Sequence, residues 1–233
     1  MLSRKPPFGP QLGAWTQRLS RPALLRHWRT RMVFWCGAIA VGLVATGFAL
    51  GCDWAIHVHA RFIARWPLAA PLLTPLSFVL VVWATRRFAP AARGSGIPQA
   101  IAALDLVEAA DRSRLLSLRI AAAKVGFTLL ALLGGASLGR EGPTVQVGAS
   151  IMLQAARWGG ISHTPGLILA GSAAGIAAAF NTPLAGIVFA IEEMGRSYQS
   201  RTNGTVLTAV ILSGLAAMAL LGNYTYFGHS YAY

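Results

Sequence analysis

Residues 32–51 read MVFWCGAIAVGLVATGFALG, twenty consecutive positions without a charge. About 20 apolar residues in a helix cross the hydrocarbon core of a bilayer. No water is available at that depth, so each backbone N–H and C=O must be satisfied inside the protein, and helices do this within one segment. The stretch therefore points to an all-α membrane protein. The rest of the chain agrees. Of 233 residues, 55% are hydrophobic and 12% charged, against about 25% charged in a soluble domain.

The net charge of +13 raises nucleic-acid binding, but its distribution excludes it. Arg4, Lys5, Arg18, Arg21, Arg26, Arg29 and Arg31 precede the first span with no acid among them. A basic flank beside a span is the positive-inside pattern, and it predicts a cytoplasmic segment over residues 1–31. Trp35 and Trp54 bracket the span as interfacial aromatics do. Cys36 and Cys52 are too few for a disulfide framework or a metal site. Ala49-Leu50-Gly51-Cys52 is a near miss to a lipoprotein cleavage box, but the apolar run is long for a signal region and further spans follow.

Along the chain, Pro67 to Thr85 is expected as a second span, followed by Arg86, Arg87 and Arg93. A short helix is predicted from Pro98 to about Ala110, ending in a charged loop. Leu115 to Leu138 is expected as a third apolar helix carrying a lone Lys124. Beyond Pro143 the pieces shorten. Thr144 to Trp158, the segment HTPGLILAGSAAGIAAAF, the segment NTPLAGIVFAIEEM and Thr205 to Leu221 each predict a helix. Gly171 and Gly175 form a small-xxx-small pair, which lets helix backbones approach closely. Short apolar segments interrupted by Pro and Gly mark broken helices, which in transporters end at mid-membrane around a binding site.

Two of these interruptions share one pattern. Gly94-Ser95-Gly96-Ile97-Pro98 places free amides and a hydroxyl just before a helix, with Pro in its first turn. A helix start carries about half a positive charge and can hold an anion. A plain turn with a capping serine is the competing reading. No Gly-Lys-Ser/Thr follows, so this is no nucleotide loop. Gly139-Arg140-Glu141-Gly142-Pro143 repeats the device with a carboxylate at the helix start. Glu141 either occupies an anion site itself, stands as an ordinary first-turn acid, or pairs with Arg140. Charged residues are costly inside a bilayer and functional by default. Asn181-Thr182-Pro183 opens a third helix, with Asn181 or Thr182 as its cap. That helix ends in Glu192-Glu193, which oppose the macrodipole. They are either solvated at the interface, partners of Arg196 and Arg201, or functional. No nucleophile–base pair, metal-ligand spacing or phosphate loop is present, so an enzyme is not expected.

Taken in order, the two glycine motifs and the 22-residue run AAGIAAAFNTPLAGIVFAIEEM, Ala173 to Met194, resemble the CLC family of chloride channels and chloride/proton antiporters. The resemblance runs from about Thr30 to the C-terminus. It implies a CLC-type helical fold over residues 32–222, with broken, tilted helices forming the first half of an inverted repeat, and a short end at 223–233. It implies chloride as the transported anion, protons as the coupled ion and no cofactor. Within it Ser95, with Gly94, Gly96, Ile97 and Pro98, is the central chloride site; a serine there goes with chloride, a proline with nitrate. Glu141 is the gating glutamate, framed by Gly139, Arg140, Gly142 and Pro143. Glu193 is the internal proton-transfer acid, assisted by Glu192, and an acid there goes with antiporters where channels usually lack one. Lys124 contributes positive potential, and Arg140 is structural. A homodimer in a cell membrane, a bacterial inner membrane, is implied, with lipid around it and contacts through the helix ending in Glu193 and the helix after it.

The family's second half carries a Gly-x-Phe-x-Pro helix start and a tyrosine that closes the chloride site from inside. Neither occurs in this chain. A truncated product, a gene fragment and one half of a split protein all remain open, as does a passive channel in place of an antiporter. Alone, this chain is expected not to transport.

Overall fold

The computed structural model describes residues 21–161, 164–194 and 203–222. Arg4, Lys5, Arg18, Arg196, Arg201 and the segment 223–233 lie outside the described residues. Within them the regular structure is helical: α1 (Arg21–Arg65), α2 (Ala70–Phe88), α3 (Ile97–Asp105), α4 (Ala109–Leu115), α5 (Leu118–Leu133), α6 (Glu141–Trp158), α7 (Thr164–Phe180), α8 (Pro183–Glu192) and α9 (Asn203–Leu221). Two single 3-10 turns, Pro67–Ala69 and Pro90–Ala92, precede α2 and α3.

The expected first span is the middle of a much longer helix. α1 has 45 residues, about 67 Å at 1.5 Å per residue. It begins inside the basic flank and continues past Gly51 through Asp53 and His59, because nothing between Gly51 and Arg65 stops it. Pro67 does, by disfavouring helical backbone at the residue before it. Segments Trp28–Arg65, Pro67–Phe88 and Ala109–Leu133 are long and apolar enough to cross a membrane.

Three sequence expectations are corrected between Pro98 and Leu138. The short helix stops at Asp105, and Leu106 is extended. The expected charged loop is instead helix α4, with Arg114 3.2 Å from Asp111 on its surface. Ser117 then caps α5, its hydroxyl accepting from the Ile120 amide at 3.3 Å. α5 ends five residues early, at Leu133. Gly135 takes a left-handed φ of 88°, and its amide and that of Ala136 donate to Leu132 and Ala131, the glycine-terminated end that closes many helices.

The core is the α6–α7 pair. From Leu167 to Ala179 α7 is buried on every side, and α6 is buried from Gly142 to Ser150. A helix apolar all round belongs at such a centre. α1, α5 and α3 pack on this pair, α9 on α7 and α1, and α8 on α7 and α9. The small-residue expectation holds. Gly171 lies against the Gly148 backbone, and a Cβ on Gly175 would stand 2.6 Å from the Thr144 carbonyl oxygen.

Candidate anion-pathway site

The two glycine motifs meet. Between the turn Pro90–Ala92 and α3, Gly94 and Gly96 adopt φ of 76° and 111°, backbone that costs an L side chain roughly 1–2 kcal/mol. The bend presses Ser95 and Gly96 onto the first turn of α6. A Cβ on Gly142 would stand 2.8 Å from the Ser95 carbonyl oxygen and 3.0 Å from its Cβ. A Cβ on Gly96 would stand 2.8 Å from the Gly142 carbonyl oxygen. Glycine at both positions is what lets the backbones touch.

Two helix N-termini therefore converge at one place. Ile97 and Pro98 open α3 with Gly96 at the cap position and no side-chain cap bond; the Ile97 amide donates to the Ser95 hydroxyl at 3.3 Å in a local turn. Ser95 itself is exposed. Glu141 is the first residue of α6, three positions earlier than expected, with Arg140 at the cap and Pro143 inside the first turn. The Glu141 side chain is half-buried and folds back over Gly139, where a Cβ would collide with a carboxylate oxygen. The carboxylate thus belongs to a positive helix start, beside the loop that carries Ser95.

Neighbouring helices hold both motifs. Arg140 is buried, with Nη1 3.7 Å from the Asp53 carboxylate on α1. Lys124 on α5 is also buried, and its ammonium donates to the carbonyls of Ala92 at 2.8 Å and Gly94 at 2.5 Å. A buried ammonium without such acceptors would be very costly. Here it places its charge beside the Ser95 loop and ties that loop to α5. His59 on α1 packs on Gly135, with Nδ1 3.0 Å from the Leu133 carbonyl oxygen, and the Ser77 hydroxyl on α2 donates to Gly134 at 3.4 Å. The segment leading to Glu141 is thereby fixed at both ends.

The acid pair stands elsewhere. Glu192 is the last residue of α8 and Glu193 caps it; both are exposed. α8 has ten residues, so about 15 Å separates the pair from its Pro183 start. Of the two expected caps, Thr182 holds the cap position, without a side-chain cap bond. Asn181, with φ 54°, instead ends α7, the Thr182 amide donating to Ala177 at 3.0 Å. Asn tolerates left-handed backbone better than other L residues. Sequence reasoning missed Asp53, His59 and Gln146; the first two were visible only as polar residues in a long apolar helix.

Three segments long and apolar enough to cross a membrane, with the starts of two further helices converging beside them, describe a helical fold of the membrane type. The family model described as "Voltage gated chloride channel" matches residues 77–233, and the chain belongs to that family. A slow cyanobacterial Cl⁻/H⁺ antiporter is similar in structure at 29% identity and TM-score 0.72, over 84% of this chain and 48% of that one. A eukaryotic CLC transporter (24%, TM-score 0.66, 81% and 38%) and a CLC-type fluoride/proton antiporter (22%, TM-score 0.68, 89% and 50%) share the fold. The chain spans about half the length of these proteins or less.

Proposed function

We propose that this chain supplies the first-repeat half of a pathway that exchanges chloride for protons in the complete protein. The observation that carries the reading is the apposition of Ser95 to Gly142, one residue from Glu141. At that place the starts of α3 and α6 offer amide donors and partial positive charge to a dehydrated anion. Glu141 is an anion at the same helix start, so an ionised carboxylate competes with chloride and a protonated one leaves the path. Glu193, exposed at the far end of α8, takes protons from the cytoplasmic side, on which the basic N-terminal flank also lies. Its exposure at the end of a different helix from those that carry Ser95 and Glu141 supports separate proton and anion entrances.

The dimer expected for the complete protein would use α8 and α9. Both carry exposed apolar residues at helical spacing, Leu184, Val188 and Ile191 on one and Leu207, Ile211, Leu215 and Met218 on the other. Serine at position 95 and the similarity to a Cl⁻/H⁺ antiporter support chloride. The experiment is proton movement in liposomes holding the complete protein under a chloride gradient. Antiport drives protons against their own gradient. Chloride flux that never moves protons would replace this reading with a passive channel.

A further inference from the structure

Gln146 stands one helical turn beyond Gly142 on α6 and is fully buried. Its Nε2 donates to the Ala91 carbonyl at 2.9 Å and the Leu115 carbonyl at 3.1 Å. Ala91 lies in the turn before Gly94, and Leu115 is the last residue of α4. On the other side, a Cβ on Gly96 would stand 2.9 Å from the Gln146 Cβ and 3.1 Å from its Oε1. One amide thus joins three separate segments around the loop 94–96. Oε1 is buried without a hydrogen-bond partner among the described residues, a condition that costs about 1–3 kcal/mol. An apolar side chain would fill the space without that penalty, so packing does not explain the amide. Its two donated bonds do: Lys124 grips the loop from α5 through Ala92 and Gly94, and Gln146 grips the neighbouring backbone from α6.

We propose that Gln146 is a positioning residue for the anion loop, holding the Ala91 turn and the end of α4 so that Ser95 and Gly96 stay seated against the start of α6. The proposal rests on the anion pathway proposed above. Gln146 touches no anion; it sets where the Ser95 hydroxyl and the amides at the start of α3 stand. A binding constellation works only when held within about 0.5 Å of its geometry, so loosening the clamp weakens anion binding before it alters anything that depends on Glu141.

The test is Gln146→Met, which keeps length and volume and removes both donors. In proteoliposomes of the complete protein the chloride half-saturation concentration is expected to rise about tenfold, with the maximal rate within about twofold and the melting temperature nearly unchanged. An unchanged half-saturation, or a loss of maximal rate alone, overturns the proposal. Hydrogen exchange on the purified chain is the second measurement. The backbone amides of Ala92, Arg93 and Leu116, each hydrogen-bonded within the segments that Gln146 holds, are expected to be protected in the wild type and to exchange at least tenfold faster in the variant, with those of 167–179 unaffected. Free exchange of these three amides in the wild type overturns the proposal whether or not the variant folds. A wild type that binds and moves no chloride sinks the proposed function, while the exchange result still decides on the clamp.

Discussion

Gly142→Ala tests the apposition on which the site depends. The new Cβ would stand 2.8 Å from the Ser95 carbonyl oxygen, 3.0 Å from its Cβ and 3.2 Å from its carbonyl carbon. Non-bonded carbons rest at about 3.5–4.0 Å, so Ser95 and α6 must separate by roughly 0.5 Å or more. Two of the three contacts are backbone atoms, which cannot turn aside as a long side chain would. Overpacking of this kind costs about 1–3 kcal/mol, and alanine's helix propensity returns about 1 kcal/mol. The net destabilisation is therefore at most about 2 kcal/mol, a modest fall in melting temperature. The functional effect is larger, because the displaced group is the serine itself. Chloride half-saturation is expected to rise about tenfold, which is about 1.4 kcal/mol of binding. Gly126→Ala on α5 is the control: a Cβ there meets nothing within 4 Å, so it should melt no lower than wild type and bind chloride equally. Transport kinetics and thermal melting of the two variants, side by side, are the assay. A Gly142→Ala protein that matches Gly126→Ala in both would refute the contact between the motifs.

Three further outcomes follow from the same geometry. Lys124→Met removes a buried ammonium together with its bonds to Ala92 and Gly94, so global melting should move little while hydrogen exchange at the Ala92 and Arg93 amides accelerates and chloride affinity falls. Asp53→Asn weakens the 3.7 Å partner of Arg140; proton-coupled turnover should fall more than chloride affinity, since α1 holds the Glu141 side of the site. The double substitution Ile191→Trp and Leu215→Trp places bulk on the outer faces of α8 and α9 and should convert a dimer to a monomer in detergent, read by light scattering; an unchanged mass would exclude those faces as the interface.

What the sequence made legible is what short-range syntax controls. Pro98, Pro143 and Pro183 mark helix starts because proline's missing donor suits a first turn, and the structure opens α3, α6 and α8 within three residues of them. The Gly171–Gly175 pairing was equally local. The failures are long-range. Asp105 ends α3 although Leu106-Val107-Glu108 contains no breaker, and α1 runs on to Arg65 because only Pro67 stops it. Asn181 and Thr182 both read as caps for the next helix; Thr182 takes that position, and Asn181 closes the previous helix. Lys124 was legible as a lone charge in an apolar helix, but the carbonyls that it bonds, 32 and 30 residues earlier in the chain, were not. Gln146 was invisible for the same reason, its partners lying 55 and 31 residues away.

The measurement that bears most directly on the central claim is Glu141→Gln in proteoliposomes of the complete protein. Glutamine keeps the size and loses both the charge and the titratable proton. Chloride flux should persist, and protons should no longer follow the chloride gradient. Proton movement that stays coupled to chloride in this variant would contradict the assignment of Glu141 as the carboxylate that shares the anion's place at the start of α6.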